Sequence, residues 1–277
     1  VGVDGSEAAR VALGWAAEDA ARRRLPLRLV HVREPWAAET EPTARSGRVT
    51  MVEWRAELLA ESAARARVLA PGIDVSTAVA TGAVVERLRT EGETADTLVV
   101  GGRGLGRLHG LALGSVTLGL AGHTDSPLVV VRMLPQRERG EVVVGYDGSP
   151  DADTAMAYGQ QQALARSALL RVLHCSRYPA LSPHPVGYGP VPAPHPDDVG
   201  ARLALWQEKA PEVEMVESLV PGSAVGALIE ASRAADLVVV GSRGRTGVAS
   251  AVLGSVSHGV LRRARCPVAV VRARQGT

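Results

Sequence analysis

The residues best placed to do chemistry in this chain are glycines. Residues 99–117 read VVGGRGLGRLHGLALGSVT, and residues 239–257 read VVGSRGRTGVASAVLGSVS. Each stretch passes from an apolar run into Gly-x-x-Gly, then nine residues, then Gly-Ser. The glycines are Gly101, Gly104 and Gly114 in the first stretch, and Gly241, Gly244 and Gly254 in the second. Glycine tolerates positive φ and lets another group approach the main chain, so such a loop can curl its N–H groups inward. The returning Gly-Ser opens a helix, where unpaired amides and the positive end of the dipole favour an anion. Ser115 and Thr117, with Ser255 and Ser257, can add hydroxyl donors. Charge-assisted hydrogen bonds contribute roughly 1.5–3 kcal/mol each, so a handful outweighs the ordering of the loop. The chemistry this predicts is the holding of a phosphate chain.

Other phosphate motifs are excluded. A P-loop needs a lysine directly after its glycines, and the single lysine, Lys209, lies in WQEKAP. A dinucleotide fingerprint would follow the first strand, where this chain has VDGS and YDGS instead. Asp4 and Asp147 end that strand in the two halves. A carboxylate there suits a ribose hydroxyl, an adenine amino group or a phosphate-bound Mg²⁺; equally, it can be a turn residue capping the next helix. Val32 and Cys175, at the end of the second strand, can wall a base with apolar surface or be core. Arg103, Arg107, His109, Arg243 and Arg245 lie in the loops, as phosphate clamps or as solvated surface. His31 and His174 read as core or rim histidines. No H-E-x-x-H, nucleophile elbow or paired carboxylate set accompanies the loops, so no catalytic or metal-ligating residue is predicted.

The elements that position these residues are written twice. VGVDGSEAARVALGWAAEDA (1–20) aligns with VGYDGSPDADTAMAYGQQQA (144–163), LRLVHV (27–32) with LRVLHC (170–175), and SPLVVVR (126–132) with CPVAVVR (266–272). The reading is a duplicated domain, 1–134 and 141–277, with MLPQRERG (133–140) as a polar linker. Within a copy, continuous Val/Leu runs alternate with helical segments, which indicates a parallel sheet covered on both faces. The first copy places helices near 6–24, 50–69, 83–92 and 115–123. The second begins with a strand at 142–146, a helix capped by Ser149 with Pro150 at its first position and a strand at 169–175. A short helix, a strand near 213–219, a helix from Ser223, a strand to Gly241, a helix from Ser255 and a strand at 267–272 complete it. The fold class is therefore α/β, two tandem doubly wound five-stranded sandwiches. Residues 176–196 carry seven prolines and read as an extended connector.

Bulk composition excludes several partners. The chain of 277 residues is 46% hydrophobic and 22% charged with a net charge of +2, which gives no basic field for nucleic acid. No apolar run nears the roughly 20 residues of a membrane helix. Aromatics are 3% with no Phe, so Val, Leu and Ala must form the core. The two cysteines match no metal spacing, and with no secretion signal read, a cytoplasmic location with free thiols is expected.

The combination of VGVDGS, LVHV, the glycine spacing and a closing CPVAVV resembles the universal stress protein family, in its tandem ATP-binding form, over nearly the whole chain. The resemblance implies an adenine nucleotide alpha hydrolase-like sandwich of strand order 3-2-1-4-5 holding ATP, with or without Mg²⁺. Asp4 and Val32 would meet adenosine, and Gly101, Gly104, Gly114, Ser115, Val116 and Thr117 the ribose and phosphates. Their counterparts are Asp147, Cys175, Gly241, Gly244, Gly254, Ser255, Val256 and Ser257. It further implies pairing of the halves through their fifth strands, and a homodimer of tandem chains. Cys175 in place of an apolar residue, GGRG in place of GSRG and a first strand clipped to Val1–Val3 depart from the family pattern. The function implied is a non-catalytic stress-response regulator. A slow ATPase or nucleotidyl-transfer enzyme using the same sites, and a protein scaffold with vestigial sites, are the alternatives.

Overall fold

The computed structural model describes residues 1–35, 50–103, 113–135, 137–176, 182–184, 187–189, 197–244 and 253–273. The chain forms two compact units, Val1–Leu134 and Pro135–Thr277. In the first, the elements are α1 (Glu7–Arg23), β1 (Leu27–Arg33), α2 (Met51–Leu69), β2 (Val75–Thr81), α3 (Val84–Thr94), β3 (Leu98–Gly101), α4 (Ser115–Leu120) and β4 (Leu128–Val131). β1 pairs with β2 and β3 with β4, both parallel. Residues 1–3 join the two pairs: the Val3 amide donates to Val30 at 2.9 Å, and the Gly2 amide donates to Val99 at 3.1 Å. The order across the unit is thus third, second, first, fourth, fifth. The first position is too short to count as a full strand and makes a single bridge, Gly2 to Val30.

The second unit contains β5 (Glu141–Gly145), α5 (Pro150–Arg166), β6 (Leu169–Ser176), β7 (Ser182–His184), β8 (Gly187–Gly189), α6 (Asp197–Lys209), β9 (Met215–Pro221), α7 (Ala224–Ala231), β10 (Leu237–Gly241), α8 (Ser255–Arg263) and β11 (Val268–Val271). Here the parallel order β9-β6-β5-β10-β11 is complete. It is again 3-2-1-4-5, the arrangement in which ligands sit beyond the carboxyl ends of the strands where the order reverses.

Local chemistry explains the elements. The central strands are valine runs buried on both faces: Val142, Val143, Val144, Val238 and Val239 are each fully buried, as a sheet covered by helices requires. Ser149 caps α5 by accepting from the Ala152 amide at 3.2 Å, with Pro150 at the first helical position. Thr50 and Glu53 form a reciprocal capping box on α2, and those bonds to Thr50 hold the Glu53 carboxyl below its ordinary range.

Two segments depart from the sequence reading. The proline-rich stretch is not wholly an unpaired connector, because β7 and β8 within it pair antiparallel, Ser182 to Gly189 and His184 to Gly187. Only two strands meet there, so a proline can sit where no ladder donor is needed. The expected short helix is α6, a full 13 residues.

Candidate functional site

The site in each unit starts at the end of the first strand. Asp4 accepts the Ser6 amide on Oδ1 at 2.9 Å, Gly5 adopts φ +83°, and Ser6 Oγ accepts the Ala9 amide at 3.1 Å. The second copy repeats this: Asp147 Oδ1 accepts the Ser149 amide at 3.0 Å beside Gly148 at φ +76°. The turn role weighed for these aspartates is therefore real, and it engages one oxygen of each. The other Asp147 oxygen, Oδ2, faces the glycine loop, lying 2.5 Å from where a Cβ on Gly244 would stand. Asp4 lines a cavity in the first unit.

The loops themselves are built alike. A Cβ on Gly101 would stand 2.6 Å from the Ala8 carbonyl carbon, and one on Gly241 would stand 2.9 Å from Asp151 Cβ. Only glycine lets the ends of β3 and β10 pass so close to α1 and α5. The Gly102 amide donates to Val131 and the Gly114 amide back to Gly102; Ser242 and Gly254 repeat the pattern with Val271 and Ser242. Gly114 and Gly254 then cap α4 and α8 without any side-chain bond. The first amides of those helices, from Ser115 and Val116 or Ser255 and Val256, therefore have no capping side chain.

Two expected ligand donors are placed differently. Thr117 and Ser257 are 2% and 3% exposed, and their hydroxyls donate to the Gly101 and Gly241 carbonyls at 3.0 and 2.6 Å. A hydroxyl has one proton to give, so these two fasten the loop instead of reaching for a ligand. Ser115 and Ser255, one turn position earlier, are exposed.

In the first unit the pieces surround a cavity of about 530 Å³, within the usual range for a small-molecule site. One wall is apolar, from Val30, Val32, Val84, Leu88 and Val100. The same lining carries Asp4, Gly101, Arg103, Gly114, Ser115, Val116 and Thr117. Gly104, Arg107, His109 and Arg245 lie outside the described residues.

His31 also lines the cavity; it is buried, its Nδ1 donates to the Val3 carbonyl at 2.9 Å, and it meets Trp54 edge-on. His174 makes the same bond to Tyr146 at 2.9 Å. Both rings strap the second strand to the end of the first. Cys175 holds the Val32 position on β6, half-buried, and burial pushes its thiol pKa up. Burial pushes the Cys266 thiol up to about 12, so neither cysteine is poised as a thiolate. Among the described residues, no group of three or more His, Cys, Asp or Glu could hold a metal ion. None of the described helices is long and apolar enough to cross a membrane.

The sequence reading had not singled out the α3 wall, Val84 and Leu88, whose signal was only an ordinary amphipathic spacing. It also passed over Asp151, although the repeat alignment sets it against Ala8.

A glycine-bearing strand end at the switch point of a 3-2-1-4-5 sheet marks a doubly wound α/β protein, and this chain carries that arrangement twice. The sequence profile of the Universal stress protein family matches residues 1–132 and again 138–272. A universal stress protein of Mycobacterium tuberculosis H37Rv is 36% identical over 282 residues, spanning 98% of this chain and 95% of its own. Another, from Mycobacterium bovis, is 31% identical over 300 residues, covering 99% and 95% of the two chains. The crystal structure of a universal stress protein from Archaeoglobus fulgidus shares the fold at a TM-score of 0.73 with 22% identity, covering 98% of this chain and 97% of that one. The chain belongs to the universal stress protein family, in tandem form.

Proposed function

We propose that each unit binds an adenine nucleotide, ATP in the first place, and that the chain acts as a non-catalytic regulator of the stress response. The observation that carries this reading is the first-unit cavity. It gathers Asp4, Val32, Gly101, Gly114, Ser115 and Val116, from four separate segments, around one apolar slot with an amide-rich rim. Adenine would lie against Val30 and Val32, and the tail would lie along the loop and the start of α4. Asp4 would take a ribose hydroxyl or, when Mg²⁺ accompanies the nucleotide, a metal-bound water. Asp147, Cys175, Gly241, Gly244, Gly254, Ser255 and Val256 would do the same in the second unit. A cytoplasmic setting suits two unpaired cysteines.

The test is mass spectrometry of whatever leaves the purified chain on heat denaturation, with phosphate release from added ATP followed in parallel. The expected result is an adenine nucleotide in the wild type, none in the Gly104→Glu plus Gly244→Glu double variant, and no sustained turnover in either. An empty wild-type protein that also fails to take up added ATP would remove the binding role, and steady ATP hydrolysis would make the chain an enzyme.

A further inference from the structure

We propose that the two sites respond differently to phosphate charge, the first favouring a polyphosphate tail and the second nearly indifferent to the number of phosphates. The proposal rests on the adenylate reading above and adds which ligand each unit takes. Its basis is one of the differences between the two copies. VGVDGSEA in the first unit stands against VGYDGSPD in the second, which sets Ala8 against Asp151. The two occupy the same place: each lies directly under the first glycine of its loop, where a Cβ on Gly101 or Gly241 would collide with it.

Asp151 is 6% exposed, and its carboxylate is engaged by the loop and by the chain just after β11. Oδ2 accepts the Ser242 hydroxyl at 2.6 Å and the Arg243 amide at 2.9 Å, and Oδ1 accepts the Ala273 amide at 3.0 Å. The Arg243 guanidinium stands 3.9 Å from the same Oδ2. The second unit thus carries its own anion on α5, beneath its loop. That anion takes the Arg243 amide and offsets the Arg243 guanidinium.

Nothing equivalent stands in the first unit. Ala8 has no carboxylate, and Gly102 replaces Ser242. Arg103, the counterpart of Arg243, is exposed, lines the cavity with Gly101 and Gly114, and has no carboxylate partner among the described residues. The loops are otherwise closed by the same backbone bonds, and Asp4 and Asp147 match. Among the described loop residues, what differs is charge: the Arg103 guanidinium has no carboxylate beside it, whereas Arg243 is paired with Asp151. At roughly 8 Å and an effective dielectric near 20, one unit charge alters affinity for another by on the order of tenfold or more. Every added phosphate should therefore strengthen binding in the first unit and bring little in the second.

The experiment is calorimetric titration of the full chain with adenosine, AMP and ATP. The wild type should show two classes of site: one in which ATP binds at least about tenfold tighter than adenosine, and one in which the two bind within a few-fold of each other. Arg103→Gln should cut ATP affinity of the first class about tenfold and leave adenosine unchanged. Asp151→Asn, which keeps the side-chain volume and removes the charge, should raise ATP affinity of the second class severalfold. Because Asp151 is buried, circular dichroism of that variant is compared first; Arg103 is exposed, so its arm stands alone if the other variant unfolds. Two classes with a common ATP-to-adenosine ratio, or an Arg103→Gln loss shared equally by adenosine and ATP, would overturn the charge tuning and leave the adenylate reading intact. No binding of any of the three by the wild type would overturn both.

Discussion

The buried hydroxyl of Thr117 ties the first turn of α4 to the last carbonyl of β3, so the residue shapes the cradle from behind. Removing one partner of such a bond leaves a buried carbonyl unpaired, which costs about 1–3 kcal/mol. Thr117→Val, close in volume, should therefore lower stability by roughly that amount and weaken ATP binding by changing the loop. Ser115→Ala, at an exposed position, should leave stability nearly unchanged while weakening ATP binding alone. Urea denaturation and calorimetry on the two variants separate these roles; equal stability losses would contradict them. The spacing of the glycines was legible from the sequence because curled loops demand that residue type at fixed places. The direction of a hydroxyl was not, since Thr117 and Ser115 differ only in which neighbour the helix turns them towards. The Asp4 question has an answer of the same kind: one carboxylate oxygen closes the turn, which is the second of the two roles its position allows.

At the scale of elements, strands and caps carried clear signals. Valine runs such as 142–144 and 238–240 have no choice but a doubly covered sheet, and they are buried on both faces. Asp-Gly-Ser foretold a helix start because each residue has one job there: a turn, a positive φ and a cap. Ser149→Ala removes the bond to Ala152 and should destabilise the chain by about 1 kcal/mol, read as a lower denaturation midpoint without a change in slope. No loss would mean that Pro150 alone fixes the start of α5. Less was legible where local and tertiary preferences compete. The prolines around 176–196 argued only against helix, and the small pair β7–β8 depends on a register that proline content does not encode. The helix α6 was underestimated because its first turn follows directly on that stretch. The first strand, Val1–Val3, reads apolar and makes a single bridge, Gly2 to Val30.

At the scale of the whole molecule, duplication is what made the family readable. One glycine loop is modest evidence; the same loop after the same strand in two units, each of order 3-2-1-4-5, leaves little room for coincidence. Duplication also exposes divergence. Asp151 against Ala8 is a small change in a 20-residue alignment, and its consequence emerged only when its carboxylate was seen to hold Ser242, Arg243 and Ala273. The central claim is that loop amides and the first turn of the next helix grip the tail of an adenylate whose base lies against the second strand. A crystal structure of the full chain grown with ATP tests it most directly. The account predicts density in the first unit with adenine beside Val30 and Val32 and phosphates along Gly101–Arg103 and Gly114–Val116. Nucleotide bound at another edge of the sheet, or a vacant first-unit cavity at saturating ATP, would contradict it.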